Sequence, residues 1–360
     1  MNTNIELSNI NNHFFLHDDD DDDDDDENDK NHKKYKTKIT NYCFYSINEA
    51  NISDIIKTLN YYSNNYAVVE DYDYINISQL SEKYVDKLNL TNNQKYLVFK
   101  YKNENYVLFN DFLFNLTNPK LFIFHVIESF SYILKSLIGL NKKNICFFNL
   151  SPQNIVFNLD CGEKPILQNF QLSLNISNLN ESYITNIINK IEDYTYKPLE
   201  IHVLFYLIRN DLHTISYSLI EEISEIFIKN LSILNFFSEK YKESYKITCI
   251  SVLKKYVNIP KNEIIDDILE NIDKWDVFSL SVLYLHIFHN ISRVFSLKQT
   301  FINKFILELS KNIHPDPLLR SSLENLLESF DKLFTNENDW SYINRLSSNM
   351  MTTLFDILDK

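Results

Sequence analysis

The stretch FFNLSPQNIVF, from Phe147 to Phe157, decides how the fold of this chain is interpreted. Apolar residues at both of its ends enclose a largely polar centre, NLSPQN. A turn with the sequence DCGEK follows and contains Gly162, and a second apolar run, PILQNFQLSL, begins at Pro165. Because apolar runs that flank a short glycine-containing turn are typical of a β-hairpin, we predict a hairpin around Gly162.

A long helix is predicted immediately before this stretch. The segment NPKLFIFHVIESFSYILKSLIGL has Asn118 as a candidate cap and Pro119 at the first helical position, and Gly139 lies near its end. The segment is apolar nearly all round, which is typical of a buried central helix. After the hairpin, residues 184–356 predict a series of amphipathic helices.

The residues before the long helix predict a smaller mixed region. ITNYCFYSI, residues 39–47, has the composition of a strand, and the segment from Asn48 predicts a helix with a stripe of isoleucines. Two strand-like runs follow, YAVVEDYDYINI and YLVFKY, the second leading into ENYVLFNDFLF. The sequence therefore predicts an α+β protein with a small mixed N-terminal part and a large helical part.

The N-terminal segment, residues 1–34, is predicted to be a disordered acidic tail. Its nine consecutive aspartates, Asp18 to Asp26, repel one another and bury no apolar area to offset chain ordering. We interpret the run as a solvated tail, with the binding of a basic partner or a metal ion as the alternative. The following NHKKYKTK, residues 31–38, reverses the charge and is interpreted as a linker.

The charge, the cysteine spacing and the apolar runs of the sequence limit the classes of function to be considered. The formal net charge of the 360-residue chain is −14, but 12 acidic residues and one base lie in residues 1–30, so the rest is nearly neutral. Overall charge therefore does not indicate a nucleic-acid surface. The four cysteines show no CxxC spacing and are interpreted as free thiols. No apolar run reaches about 18 residues and no signal layout is visible, so we expect an intracellular protein without membrane association.

Glycine is scarce, and this excludes two kinds of nucleotide-binding motif. The chain contains only 2 glycines, Gly139 and Gly162. A glycine-rich phosphate loop needs several of them, so that backbone amides approach the phosphate oxygens. The dinucleotide-binding fingerprint and the Walker A loop are therefore excluded.

The order of these elements, together with the central stretch, resembles the eukaryotic protein-kinase fold. The catalytic loop of that family reads H-R-D-L-K-P-x-N and leads into an apolar strand, and the residues from Phe147 to Asn154 occupy those places. The next strand of the family ends in Asp-Phe-Gly, where this chain has Asn169, Phe170 and Gln171.

Three further motifs follow in the order of the family. YKPLE, which ends at Glu200, resembles the Pro-Glu that closes the activation segment. WDVFSL resembles the Asp-x-Trp-Ser-Leu-Gly helix, with Asp276 and Ser279 in the matching places, and HPDPLLRSS resembles the Pro-x-x-Arg element with Arg320. The resemblance covers residues 118–335. The sequences of these motifs are most similar to those of kinase-like proteins of giant DNA viruses.

The resemblance implies an organisation and a location. Residues 35–117 correspond to a reduced N-lobe-like part and residues 118–345 to a helical C-lobe-like domain. Residues 201–274 are too long for the usual connection and are interpreted as a family-specific insertion. A viral origin would place the protein in the host cytoplasm or the virion.

The departures from the family pattern fall on the catalytic residues. Asn149 stands at the place of the catalytic Asp and has no basic oxygen, and general base catalysis is worth about 10²–10⁴-fold. Ser151 replaces the catalytic-loop Lys, and Asn169 replaces the Asp that binds Mg²⁺, which prefers carboxylates. Asn154, a second metal ligand in the family, is retained either as a ligand or as a brace of the loop. Gln171 replaces the hinge glycine.

Other positions are given structural roles by the resemblance. Phe148 replaces the arginine that receives an activation-loop phosphate, so switching through that position is not expected. Glu200 and Arg320 correspond to a structural ion pair, and Asp276 to the residue that holds the backbone of the catalytic loop. The nucleotide-binding Lys of the third strand and its Glu partner are not identified from the sequence.

Three functional hypotheses remain. We favour a pseudokinase, a binding or regulatory scaffold with a protein partner and with weak or no Mg-ATP binding through Asn154 and Asn169. The alternative is a diverged Ser/Thr-type protein kinase whose missing groups are supplied from elsewhere. A third reading, an unrelated helical interaction protein, is disfavoured by the ordered motifs. His286 and His289 are interpreted as core or surface histidines, because a metal site needs more ligands.

Overall fold

The chain consists of two compact units in this computed structural model. The first comprises Met1–Val107 with Val156–Ser173, and the second comprises Leu108–Ile155 with Leu174–Lys360. Strands predominate in the first unit and helices in the second, which confirms the α+β class. The described residues are 9–10, 13–16, 35–75, 77, 85, 94–297, 300–337, 340–341, 343 and 347–358.

The larger sheet of the first unit has five described strands in the spatial order β1-β2-β3-β6-β5, and every neighbouring pair is antiparallel. Phe99 and Leu97 of the strand β6 pack with Val69 and Ala50 in the apolar core of this unit. The strands are β1 (Asn9–Ile10), β2 (His13–Leu16), β3 (Tyr35–Asn41), β5 (Asp71–Ile75) and β6 (Tyr96–Lys102).

The N-terminal segment differs from the expectation at residues 9–10 and 13–16. These residues form β1 and β2, and Phe15 of β2 pairs with Lys38 of β3. The predicted linker also differs, because its residues 35–38 belong to β3, where Tyr and Thr favour extended backbone. The aspartate run from Asp18 to Asp26 lies outside the described residues, so its disorder stays a prediction.

Helix α1 (Phe44–Ile56) begins earlier than predicted, inside the segment predicted as a strand. The backbone N–H of Cys43 donates to the Ser46 hydroxyl at 3.0 Å, which satisfies a donor at the start of the helix. Ile52 and Ile56 of this helix are buried. The sequence ITNYCFYSI is therefore the end of one strand and the beginning of a helix.

The second sheet of the first unit contains the predicted hairpin. Strands β9 (Ile155–Asn158) and β10 (Lys164–Gln168) are hydrogen-bonded neighbours, in the order β4-β10-β9-β7 with β4 (Tyr66–Ala67) and β7 (Tyr106–Leu108) at the edges. Gly162 in the connecting turn has φ +78°, a left-handed conformation that favours glycine. The hairpin prediction is confirmed.

The second unit is largely helical, with a short antiparallel pair of strands formed by β8 (Ile145–Cys146) and β11 (Leu174–Asn175). Residues 108–117 belong to this unit and residues 156–173 to the first, so the unit boundaries differ from the predicted division at residue 118. The helices described here are α2 (Phe109–Phe114), α3 (Pro119–Asn141), α4 (Glu181–Lys190), α5 (Leu199–Arg209), α6 (Tyr217–Asn230), α7 (Glu239–Leu253), α8 (Lys261–Leu269), α9 (Trp275–Val294), α10 (Phe301–Asn312), α11 (Leu323–Thr335) and α12 (Ser348–Leu358).

Helix α3 is the long helix predicted from the sequence, and its start is confirmed. The side-chain oxygen of Asn118 accepts the backbone N–H of Lys120 at 2.9 Å. By length and composition alone α3 could cross a membrane, but 61% of its most apolar window is buried inside the protein, as in a core helix. The Phe130 ring of α3 lies 5.0 Å from the Tyr284 ring of α9 and 4.6 Å from the Phe305 ring of α10, which centres the core of this unit on α3.

Candidate functional site

The loop after β8 makes a strained turn at Phe148. The N–H of Asn149 donates to the carbonyl oxygen of Phe147 at 2.6 Å, and Phe148 between them has φ +62°. A hydrogen bond between residues i and i+2 with positive φ at the central residue is the pattern of the rare γ-turn. For a residue as bulky as Phe, this conformation persists only where neighbouring groups hold it.

Asp276, at the start of α9, holds the backbone of this turn as the resemblance implied. Its Oδ2 accepts the N–H of Phe147 at 2.7 Å, and its Oδ1 accepts the N–H of Phe148 at 2.8 Å. Burial raises the pKa of Asp276, while these two N–H donors, the Cys146 thiol and the Lys197 ammonium act in the opposite direction. Both oxygens of the carboxylate therefore accept hydrogen bonds from the loop backbone.

Lys197 holds the other side of the same turn, a role that was not predicted from the sequence. Its ammonium donates to the carbonyl oxygen of Phe148 and lies 4.1 Å from the centroid of the Phe148 ring. The side chain is buried, and this burial lowers the pKa of Lys197 to about 8. Trp275 packs on Phe148, with 5.7 Å between the ring centroids.

The loop brings together three of the predicted site residues, Asn149, Ser151 and Asn154. The side-chain nitrogen of Asn154 donates to the Asn149 carbonyl at 2.8 Å and lies 3.1 Å from the Ser151 hydroxyl oxygen. Asn154 is therefore a brace of the loop. Asn149 is half-buried, and its side chain makes no hydrogen bond with the described residues of its own unit. The loop offers amides and a hydroxyl, and no carboxylate.

Asn169 belongs to the first unit. It has φ +64° and precedes a single helical turn that includes Phe170 and Gln171. The side-chain nitrogen of Asn48, on α1, donates to the carbonyl oxygens of Gln171 at 3.0 Å and Ser173 at 2.9 Å. Helix α1 therefore fixes the backbone of the Asn169–Ser173 segment within this unit.

The first unit also contains a buried lysine and glutamate that sequence reasoning did not find. Lys38 on β3 and Glu49 on α1 are both buried. They do not meet directly: the Lys38 ammonium lies 5.9 Å from the centroid of the Tyr101 ring, and the Tyr101 hydroxyl donates to Glu49 at 3.3 Å. Among the described residues no carboxylate pairs with Lys38. The missing signal was the strand itself, since residues 35–38 were interpreted as a linker.

Glu200 and Arg320 form the buried ion pair that the resemblance implied. Two parallel bonds of 2.8 and 2.9 Å join the guanidinium to the carboxylate, and the side chains are 0% and 7% exposed for Arg320 and Glu200, respectively. Arg320 also donates to the carbonyl oxygens of His314 at 2.7 Å and Pro315 at 3.1 Å. The pair joins the start of α5 to the segment before α11.

Ser279 fixes the chain that leads to Glu200. Its hydroxyl donates to the carbonyl oxygen of Tyr196 at 2.7 Å and, one turn back along α9, lies 3.0 Å from the Trp275 carbonyl oxygen. Helix α9 therefore contacts both the loop, through Asp276, and the segment that carries Lys197.

His202 predicts a measurable dependence of stability on pH. Its Nε2 is buried without a hydrogen-bond partner among the described residues, and the Tyr194 ring centroid is 5.2 Å away. Burial lowers the pKa of His202 to about 3, from 6.5. Below pH 6.5 the unfolded chain binds a proton that the folded protein excludes, so the free energy of unfolding falls as the pH drops from 6.5 towards 3, by about 3–5 kcal/mol for this residue.

We expect His202→Leu to flatten this dependence. The measurement is urea unfolding of both proteins at pH 7 and at pH 5, with the difference between the two pH values compared. His286, whose pKa burial lowers to about 4, is present in both proteins and contributes equally. An equal loss of stability in wild type and variant on acidification would show that His202 is not the group responsible.

His286 and His289 do not form part of a metal site within the described residues. The ring of His289 stacks on Phe236 with 3.3 Å between the centroids, and His286 Nε2 lies 3.2 Å from the Ser232 hydroxyl. No group of three or more His, Cys, Asp or Glu residues in the described parts of the chain is arranged to hold a metal ion.

Comparisons with known proteins find similarity among solved structures. No protein-family model and no curated protein matches this chain. Among solved structures, the chain is similar to one described as a twitchin kinase region from C. elegans, at 12% sequence identity and a TM-score of 0.43. The similarity covers 90% of this chain and 45% of that one, so this chain spans less than half of its length.

Proposed function

We propose that this protein is a kinase-like protein that has lost efficient phosphoryl transfer and acts as a binding or regulatory scaffold. The single observation that carries the proposal is the loop from Phe147 to Asn154. Its backbone is held by a buried carboxylate, Asp276, yet the loop itself presents only amide and hydroxyl side chains. A loop kept in a fixed geometry without its chemistry is what a scaffold derived from an enzyme would retain.

The residues to which the resemblance assigns a structural role make the contacts expected of them, and these contacts support the kinase-like interpretation. Asp276 binds two consecutive N–H groups of the loop, and Glu200 pairs with Arg320 in a bidentate, buried arrangement. The resemblance was based on short local motifs, whereas these contacts join residues that are far apart in the sequence, so they are a separate observation.

The side chains of the loop fit poorly to Mg²⁺ and to proton abstraction. Mg²⁺ requires near-octahedral oxygen ligation and is usually bound through carboxylates and phosphates. An amide at position 149 has no basic oxygen with which to accept the proton of a substrate hydroxyl. Ser151 carries no charge to stabilise a transferred phosphate. We therefore derive no catalytic step from this loop.

Lys38 favours the second candidate, a diverged kinase that still binds ATP. It lies on the third of the described strands, it is buried, and no carboxylate among the described residues pairs with it. A buried ammonium that is not paired with a carboxylate could bind a phosphate group. The contact of Tyr101 with both Lys38 and Glu49 opposes this interpretation, because the direct Lys–Glu pair of the family is absent.

A thermal-shift titration distinguishes the two candidates. We expect 1 mM Mg-ATP to raise the Tm by no more than about 1 °C, since a ligand at its Kd stabilises by only about 0.4 kcal/mol. Lys38→Met should abolish any shift, and ATP without Mg²⁺ should act like Mg-ATP. Lys36→Met is the matched control, since Lys36 lies on the same strand over the Tyr106 ring. A shift of several degrees that requires Mg²⁺ would favour the kinase.

A further inference from the structure

The turn at Phe148 is held by hydrogen bonds to both the N–H and the carbonyl group of its central residue. The N–H of Phe148 donates to Asp276 at 2.8 Å, and its carbonyl oxygen accepts from the buried ammonium of Lys197. Its ring lies between that ammonium, at 4.1 Å, and the Trp275 indole, at 5.7 Å. Every polar backbone atom of the strained residue is therefore bound by a charged side chain of the second unit.

Lys197 is an unusual residue to find in this place. Lysine is almost never fully buried unless it is paired, and Lys197 is only 5% exposed. An apolar residue of similar length would fill the same volume without a desolvation penalty. What an apolar side chain would not supply is a donor for the Phe148 carbonyl and a positive charge near Asp276, whose charge acts on the pKa of Lys197.

The two side chains that bind Phe148 come from different parts of the chain. Asp276 lies at the start of α9, whereas Lys197 lies in the segment before α5, which Ser279 anchors through the Tyr196 carbonyl. The γ-turn between Phe147 and Asn149 sets the direction in which the Asn149 side chain leaves the loop. A shift of the segment that carries Lys197 would therefore be transmitted to the turn.

We propose that Lys197 is a positioning residue: as a buried cation it holds Phe148 in its left-handed conformation and so fixes the presentation of Asn149. The contacts stand by themselves, and only the significance of Asn149 rests on the proposed function. Lys197 supplies a second, independent hold on the loop, which ties the geometry of the loop to the segment before α5.

The first test is hydrogen–deuterium exchange of the full-length protein, followed in peptides that cover residues 147–150. Lys197→Met should speed amide exchange in these peptides by at least about tenfold, the effect of losing a hydrogen bond from a charged donor. Tyr284→Phe is the matched control, because it removes another buried hydrogen bond of this unit, that to Ser129 at 2.8 Å. The control should leave residues 147–150 unchanged.

The second test keeps Lys197 and therefore does not depend on the folding of that variant. Trp340→Phe leaves Trp275, which packs on Phe148, as the single tryptophan. Its fluorescence should change with a midpoint near pH 8, where burial places the pKa of Lys197. The other titratable groups that act on Lys197 are Asp276, Cys146 and Asp193. Burial raises the pKa of Cys146 well above its usual range.

Two results would overturn the proposal. One is unchanged exchange in residues 147–150 of Lys197→Met, or acceleration spread evenly over the second unit. The other is a Trp275 signal without a transition near pH 8. Rapid phosphate transfer by the wild type would instead refute the proposed function, and it would leave these results on the turn intact.

Discussion

Arg320→Met should destabilise the protein by about 3–5 kcal/mol, because it leaves the buried carboxylate of Glu200 without its partner. The guanidinium is 0% exposed and binds both oxygens of Glu200, at 2.8 and 2.9 Å. The same substitution removes the donors to the His314 and Pro315 carbonyls. The measurement is the free energy of unfolding from urea denaturation of wild type and variant.

Two controls separate the buried charge from a loss of side-chain volume. Lys100→Met breaks an exposed pair with Asp71, at 2.8 Å, and should cost less than about 1 kcal/mol. The double variant Arg320→Met with Glu200→Met should recover part of the loss, since two apolar residues leave no unpaired charge. If Arg320→Met costs no more than Lys100→Met, the ion pair does not have the structural role assigned to it.

Introducing two carboxylates should not give the protein kinase activity. Asn149→Asp would return a proton acceptor and Asn169→Asp a ligand for Mg²⁺, and each change addresses one requirement of phosphoryl transfer. A glycine-rich cradle for the phosphates is still missing, because the chain has only 2 glycines, and Ser151 still carries no charge. Catalytic groups act as a unit, so partial restoration gives far less than the sum of their separate effects.

We therefore expect at most a trace of phosphate transfer from the double variant, and none above background from either single variant. The measurement is transfer of radiolabelled phosphate from ATP to a generic protein acceptor, with equal folding of all variants checked by their Tm. If the double variant turns over at the ordinary kinase scale of about 1–100 s⁻¹, the protein holds the phosphates by groups not identified above.

Local signals in the sequence were sufficient for several elements. The start of α3 was predicted because Asn118 is a typical capping residue and Pro119 suits the first helical position, and both are local signals. The hairpin was predicted because Gly162 supplies the left-handed residue of its turn. Helix α1 was predicted to start too late, since its capping group is Ser46, inside the helix, and Cys43 is not a typical cap.

The site depends on contacts between residues that are distant in the sequence. Asp276 and the Glu200–Arg320 pair were assigned through the resemblance alone, because no local pattern reveals which backbone N–H or guanidinium a carboxylate will meet. Lys38 and Lys197 were missed for the same reason. In a chain rich in lysine, burial distinguishes these two from surface lysines, and burial is set by tertiary packing.

The rate of phosphate transfer by the unmodified protein tests the central claim most directly. Purified full-length protein would be incubated with radiolabelled ATP, Mg²⁺ and a generic acceptor protein, next to an active kinase as the positive control. The amides and hydroxyl of the loop predict no labelling of the acceptor, or of the protein itself, above background. Turnover at about 1–100 s⁻¹, the ordinary scale of protein kinases, would contradict the scaffold function proposed here.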